Sequence, residues 1–187
     1  MANYLNELIA SDFIVKYNPF GFSKRESYYK LVDPFCLFYL NFCDNKKLNE
    51  NFFTENIATS IINAWSGISF ENVCFNHINQ IKFALNILGI STEESAFYNK
   101  DDGYQIDLIL TRKDNIVNIC EIKFYSDKLA LDKENYLKVN RRTNLLLEKI
   151  NKKYSIMNVL ISTYGIKKNE YSNVFSNSIT LDDLFRF

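Results

Sequence analysis

At 187 residues and 22.0 kDa the chain suffices for one ordinary domain, or one small core with an appendage, and is too short for a larger architecture. With 47% hydrophobic and 24% charged residues, 12 Tyr and 16 Phe, it can offset the ordering entropy that leaves polar chains disordered, so a globular fold is expected. Lys and Arg number 22 against 22 Asp and Glu, and zero net charge excludes a polyanion-coating protein driven by total charge alone; any nucleic-acid surface must be local.

In chain order, Leu5, Leu8 and Ile9 fall at helical spacing, and Phe13-Ile14-Val15 running into Asn18-Pro19-Phe20-Gly21 reads as a strand and turn. Tyr28 to Val32 is a matching strand. A helix followed by a two-stranded ribbon is the closing part of a winged-helix unit whose preceding helices are missing, as in a fragment of a longer chain. Asp33-Pro34 starts the next helix, and Phe35, Leu37, Phe38, Leu40 and Phe42 make it apolar around most of its circumference, so burial is expected. Helical patterns then occupy roughly 52 to 64, 66 to 77 and 78 to 88, ending at Leu88-Gly89. From residue 91 the period changes: Glu94 to Asn99, Tyr104 to Arg112 and Ile116 to Phe124 read as three antiparallel strands, the last two joined by Lys113-Asp114-Asn115. A helix over 132 to 153, a compact strand Met157 to Ser162 and a short edge strand Ser178 to Thr180 complete a mixed α/β sheet with helices on its faces.

No window reaches the roughly 18 unbroken apolar residues of a membrane span, and Met1-Ala2-Asn3-Tyr4 lacks the features of a signal peptide, so no membrane partner is expected and the chain is placed in the cytoplasm. Cys36, Cys43, Cys74 and Cys120 sit in apolar runs and read as buried, reduced thiols. Cys74 with His77 is a C-x-x-H pair without a second pair, and His77 is the only histidine, which sets zinc aside and weakens any Ser-His or Cys-His nucleophile. Charge is segregated: residues 1 to 111 are net −5, residues 112 to 170 net +6.

Two carboxylates stand where they are not expected, Asp107 inside Tyr104-Gln-Ile-Asp-Leu-Ile-Leu110 and Glu121 inside Ile116-Val-Asn-Ile-Cys-Glu-Ile-Lys-Phe124. Alternation puts Glu121 and Lys123 on one face of their strand, and Asp107 can share that face across the hairpin. Acidic oxygens converging with one ammonium form a site for Mg²⁺, which polarises a phosphodiester oxygen while Lys123 orients water or stabilises charge on the phosphate. The alternative is a structural Asp/Glu/Lys ion-pair network; a second carboxylate-x-lysine triplet, Asp44-Asn45-Lys46, lies in a polar loop without such context. Arg141-Arg142, Lys149, Lys152-Lys153 and Lys167-Lys168 follow the hairpin, where phosphate contacts are useful, although a solvated helix face is the commoner reading of such lysines.

Ser69-Phe-Glu71-Asn, Gln105-Ile-Asp107-Leu-Ile109 and Cys120-Glu121-Ile-Lys123-Phe124 resemble the helix glutamate, strand aspartate and E-x-K motifs of the PD-(D/E)XK nuclease superfamily. Taken with Tyr28-Tyr-Lys-Leu-Val-Asp-Pro-Phe35, Trp65-Ser-Gly67, Ile161-Ser-Thr-Tyr-Gly165 and Thr180-Leu-Asp-Asp-Leu-Phe185, the whole chain resembles the C-terminal region of a bacterial and archaeal AAA+ type ATPase family. The resemblance implies an α/β, restriction-endonuclease-like mixed sheet flanked by helices over 51–187, preceded by a partial winged helix and connecting helix over 1–50. It also implies Asp107, Glu121 and Glu71 as ligands of Mg²⁺ or Mn²⁺, Lys123 as the catalytic lysine, DNA as substrate and an ATPase domain or protein as partner. Arg141, Arg142, Lys167 and Lys168 are the expected nucleic-acid contacts. No G-x-x-x-x-G-K-[ST] loop occurs in this chain, so ATP hydrolysis is not assigned to it, and a nuclease fold can also serve as a non-catalytic DNA- or partner-binding module.

Overall fold

The computed structural model describes residues 2–20, 27–44, 49–57, 59–99 and 104–186. Gly21 of the first expected turn, and Asn45 and Lys46 of the second carboxylate-x-lysine triplet, lie outside the described residues. Contacts divide the chain into two units, one of Met1–Lys16 with Tyr29–Asn76, the other of Tyr17–Tyr28 with His77–Phe187.

The first unit contains α1 (Ala2–Ala10), α2 (Pro34–Phe38), α3 (Phe52–Asn56) and α4 (Ser60–Asn76). Asp33 caps α2 as expected: its carboxylate accepts from the Cys36 amide at 2.6 Å and Pro34 takes the first position, where its missing N–H costs nothing. The helix runs on as a π-turn over Tyr39–Cys43. Its expected burial is corrected here: Phe42 is 4% exposed, but Phe35 and Leu40 are 72% and 59% exposed. Among the described residues the helix packs on an aromatic cluster in which Phe38 and Phe42 contact Trp65 with ring centroids 5.9 and 5.8 Å apart. Trp65 is thus a packing residue inside a single helix. The break expected near residue 65 lies instead before Ser60, where the Thr59 hydroxyl donates to the Asn56 carbonyl at 2.8 Å, and the open surroundings of Gly67 leave α4 uninterrupted. Asn72, 2% exposed, ties α4 to the Leu31 carbonyl at 3.0 Å.

The second unit carries α5 (Ile78–Ala84), β3 (Thr92–Asn99), β4 (Tyr104–Arg112), β5 (Ile116–Lys123), α6 (Lys133–Lys149), β6 (Ser155–Ser162) and β7 (Asn177–Thr180). It also takes Tyr17 to Pro19 of β1 (Ile14–Pro19) and Tyr28 of β2 (Tyr28–Leu31). The fold is mixed α/β, its seven strands ordered β2-β1-β3-β4-β5-β6-β7. The β3-β4-β5 meander is antiparallel, and β6 pairs parallel to β5 over eight residues, from Ile116–Ser155 to Lys123–Ser162. A parallel neighbour requires a crossover, which α6 provides. The hairpin turn falls at residues 113–115 as expected, with Asn115 at φ 65, a conformation that asparagine tolerates. Helix α5 ends four residues before the expected Leu88, because Asn86 rather than glycine takes the left-handed position, at φ 57, and the Ile87 amide donates back to the Lys82 carbonyl at 2.9 Å. No helix among the described residues is long and apolar enough to cross a membrane.

One face of the sheet is fixed by Ile109, Val117 and Ile119, packed with Phe97, Ile106 and Leu146 of α6. A second cluster joins Leu131, Val139 of α6, Leu160 of β6 and Phe175. Glu121 pairs with Leu160 in register, so Ile119, Glu121, Lys123 and Leu160 share the face that α6 covers.

Candidate functional site

Strand β5 lies inside the sheet between β4 and β6 and is buried over Val117 to Cys120, so it reads as a nearly continuous apolar run. Against that run, Glu121 and Lys123 are chemical exceptions placed where the strand ends. The chain beyond them is strapped down: the Tyr125 amide donates to the Thr163 hydroxyl at 2.9 Å, and the Leu129 amide donates to the Gly165 carbonyl at 2.9 Å. Gly165, at φ 78, and the Ser162 hydroxyl that accepts its amide at 3.0 Å close the turn after β6. Helix α6 is capped by Asp132, which accepts from the Asn135 amide at 2.7 Å, and anchored where the Thr143 hydroxyl donates to the Asn158 side-chain oxygen at 3.1 Å. Val139, Arg142 and Leu146 recur at helical spacing, so the face that packs on the sheet also carries a guanidinium.

That guanidinium meets Glu121. Arg142 Nη1 is paired with Oε2 of Glu121, while Oε1 lies 3.2 Å from Lys123 Nζ. The side chains of Glu121 and Arg142 are only 15% and 19% exposed, against 46% for Lys123. Burial by itself pushes the Lys123 ammonium down, but the charge and hydrogen bond of Glu121, followed by the charge of Asp107, outweigh it and the opposing Arg142, holding Lys123 above its ordinary range. Lys123 is therefore a fixed cation at neutral pH.

Asp107 is half-buried and accepts from Gln105 Nε2 at 2.7 Å. Its backbone departs from simple alternation. The β3-β4 register shifts between the pairs Ser95–Ile109 and Phe97–Ile106, setting Asp107 and Leu108 of β4 against Ala96 of β3, and Ile106 joins Ile109 in one cluster. The β4-β5 register ends at Leu108–Cys120, one residue short of Asp107 and Glu121. Glu71 belongs to the first unit, where its carboxylate accepts from Lys30 Nζ at 2.8 Å. Lys167 is paired at 3.0 Å with Asp127, and neither Lys167 nor Lys168 lines the cavity described next.

Beside Glu121 and Lys123 opens a cavity of about 370 Å³ between β5 and α6. Its charged lining is Lys123, Lys138, Arg141 and Arg142 against Glu121 alone, an excess of cations suited to a phosphate. Leu131, Val139 and Phe175 form its apolar floor, and Gln105 and Asn135 bring amide groups. Sequence reasoning singled out the two arginines but missed Lys138, Asn135 and Gln105. Asn135, Lys138 and Arg142 recur at i, i+3 and i+7 along α6, and Gln105 lies two residues before Asp107, so the spacing carried a signal that charge counting overlooked.

Among the described residues no three His, Cys, Asp or Glu side chains are grouped to hold a metal ion. The charges of Asp107 and Glu121 both act on Lys123, at the edge of a space lined by an excess of cations, and the two carboxylates are the oxygen donors there. That set fits a magnesium ion, which keeps several waters and takes one or two protein carboxylates together with substrate phosphates. Cys74 and Cys120 are buried, as expected of inert thiols, and burial pushes the Cys120 thiol up to about 12; Cys36 and Cys43 are half-buried. No family model and no curated protein matches the chain.

Proposed function

We propose that the chain is a Mg²⁺- or Mn²⁺-dependent DNA endonuclease module of the PD-(D/E)XK type, with a winged-helix remnant in α1, β1 and β2, that works with an ATPase domain or protein. The observation that carries this reading is the convergence of Glu121, Lys123 and the charge of Asp107 at the mouth of a cavity lined by four cations. The succession α5, antiparallel β3-β4-β5, α6 and parallel β6 follows the order read from the hydrophobic periods and makes a mixed sheet with flanking helices, the class of fold that the resemblance implies, and supports it.

Asp107 and Glu121 would hold the ion. Bound there, the ion would supply Lewis-acid polarisation of the phosphodiester and acidification of water. Lys123, held charged by Glu121, stabilises negative charge developing on the phosphate. Arg141 and Arg142 hold flanking phosphates, which requires Arg142 to exchange Glu121 for a phosphate oxygen. Plasmid and branched DNA incubated with Mg²⁺ or Mn²⁺ should be cut, and cutting should be lost with EDTA and in Asp107→Asn, Glu121→Gln and Lys123→Ala. Intact DNA under every metal condition would defeat the catalytic reading.

One observation favours a second reading. Both carboxylate oxygens of Glu121 already face cations of the chain itself, so the charge is compensated without an ion. A non-catalytic DNA- or partner-binding module would keep that arrangement for shape alone. In that case Glu121→Gln would bind DNA like the parent, and neither would cut it.

A further inference from the structure

We infer that the cavity between β5 and α6 takes a single unstacked nucleotide, phosphate at the cationic rim and base on the apolar floor. The inference rests on the reading of this site as one that receives a nucleic-acid phosphate. A phosphate by itself would engage the cations and fill only part of a volume of about 370 Å³, whose lining continues past them to the buried side chains of Leu131, Val139 and Phe175. These three floor residues are continuous with Leu160 in a core cluster, so the floor is rigid rather than adaptable. A cavity of this size, apolar below and charged at one side, matches a ligand with a flat apolar body and an anionic head.

The amides of Gln105 and Asn135 supply both donors and acceptors, the chemistry that reads a base edge. A base paired and stacked within a duplex has no free face to lay on such a floor. The substrate class therefore contains an unpaired nucleotide, as in a single strand, an overhang or a base turned out of the helix.

Calorimetric titration in EDTA isolates binding from metal-dependent chemistry, with dAMP, deoxyadenosine and inorganic phosphate as probes. dAMP should bind roughly tenfold or more tightly than inorganic phosphate, the order expected for seating one base face. Leu145→Trp, which overfills the cavity from a half-buried lining position, should remove that advantage while leaving phosphate affinity unchanged. Arg141→Ala, at an exposed position where folding is not at risk, should weaken dAMP and phosphate alike by several-fold. Equal affinities for dAMP and phosphate, a dAMP advantage that survives Leu145→Trp in a folded variant, or no binding of either at millimolar concentration would each overturn the inference. Binding of dAMP by a wild-type chain that cuts no DNA would uphold the nucleotide site and defeat the endonuclease, whereas cutting of duplex DNA without dAMP binding would do the reverse.

Discussion

Replacing Arg142 by methionine removes one of the two cations on Glu121 while keeping the packing length of the side chain. Because the Arg142 and Glu121 side chains are both more than four-fifths buried, leaving the carboxylate with Lys123 alone should cost about 1–3 kcal/mol of folding stability. The same change takes away the guanidinium that competes for a ligand oxygen, so Mg²⁺ should bind Arg142→Met more tightly than wild type; a denaturant melt with and without metal reads both effects. Glu94 offers a second residue-level test. Burial pushes its carboxyl up, but hydrogen bonds from Lys82 and Thr92, at 2.5 and 3.0 Å, and the Lys82 charge outweigh this and hold it below the usual range. A depressed folded value contributes stability that is present above the ordinary carboxylate pKa and lost as pH falls through the folded one. Glu94→Gln should therefore lose less stability than wild type when the pH is lowered from 7 to about 3, a window set by ordinary carboxylate titration. Identical acid profiles would show that the Lys82 pairing contributes nothing.

At the level of elements, the three-stranded meander, α6 and β6 were legible because their apolar periods are long and their interruptions few. The Asp33-Pro34 and Lys113-Asp114-Asn115 signals worked for local reasons, a cap and a turn, that need no tertiary context. What escaped was tertiary. The register shift at Ser95 and Phe97 depends on how β3 meets β4, so simple alternation along β4 does not carry through Ile106 to Ile109. Apolar residues around α2 suggested burial all round, yet among the described residues Phe42 is buried while Phe35 and Leu40 stay exposed. Glu121 and Lys123 were readable from one strand, whereas the pairing of Glu121 with Arg142 required knowing that α6 covers that same face. The strap that shapes the cavity can be tested directly. A methyl group at Gly165 would meet Thr180 Cγ2 at 3.4 Å and force a side chain into φ 78, so Gly165→Ala should cost about 1 kcal/mol and speed hydrogen exchange at Leu129, whose amide it holds. Unchanged exchange at Leu129 would mean that the strap does not depend on this turn.

Across the whole molecule, a neutral total conceals a second unit whose residues 112 to 170 are net +6. DNA binding should accordingly be tolerant of sequence and fall steeply with salt, since neutralised phosphates release condensed counterions. Reversing Arg141 and Arg142 to glutamate should weaken binding and flatten the salt slope by about one to two contacts' worth, measured by gel shift at several salt concentrations. A slope unchanged by the reversal would place the DNA elsewhere. The central claim is that Asp107 and Glu121 together hold one divalent cation beside Lys123, and calorimetric titration of Mn²⁺ into wild type and Asp107→Asn tests it most directly. The account predicts about one ion bound per wild-type chain, with most of that binding lost in Asp107→Asn. Equal binding by the two proteins, or none by the folded wild type, would contradict it.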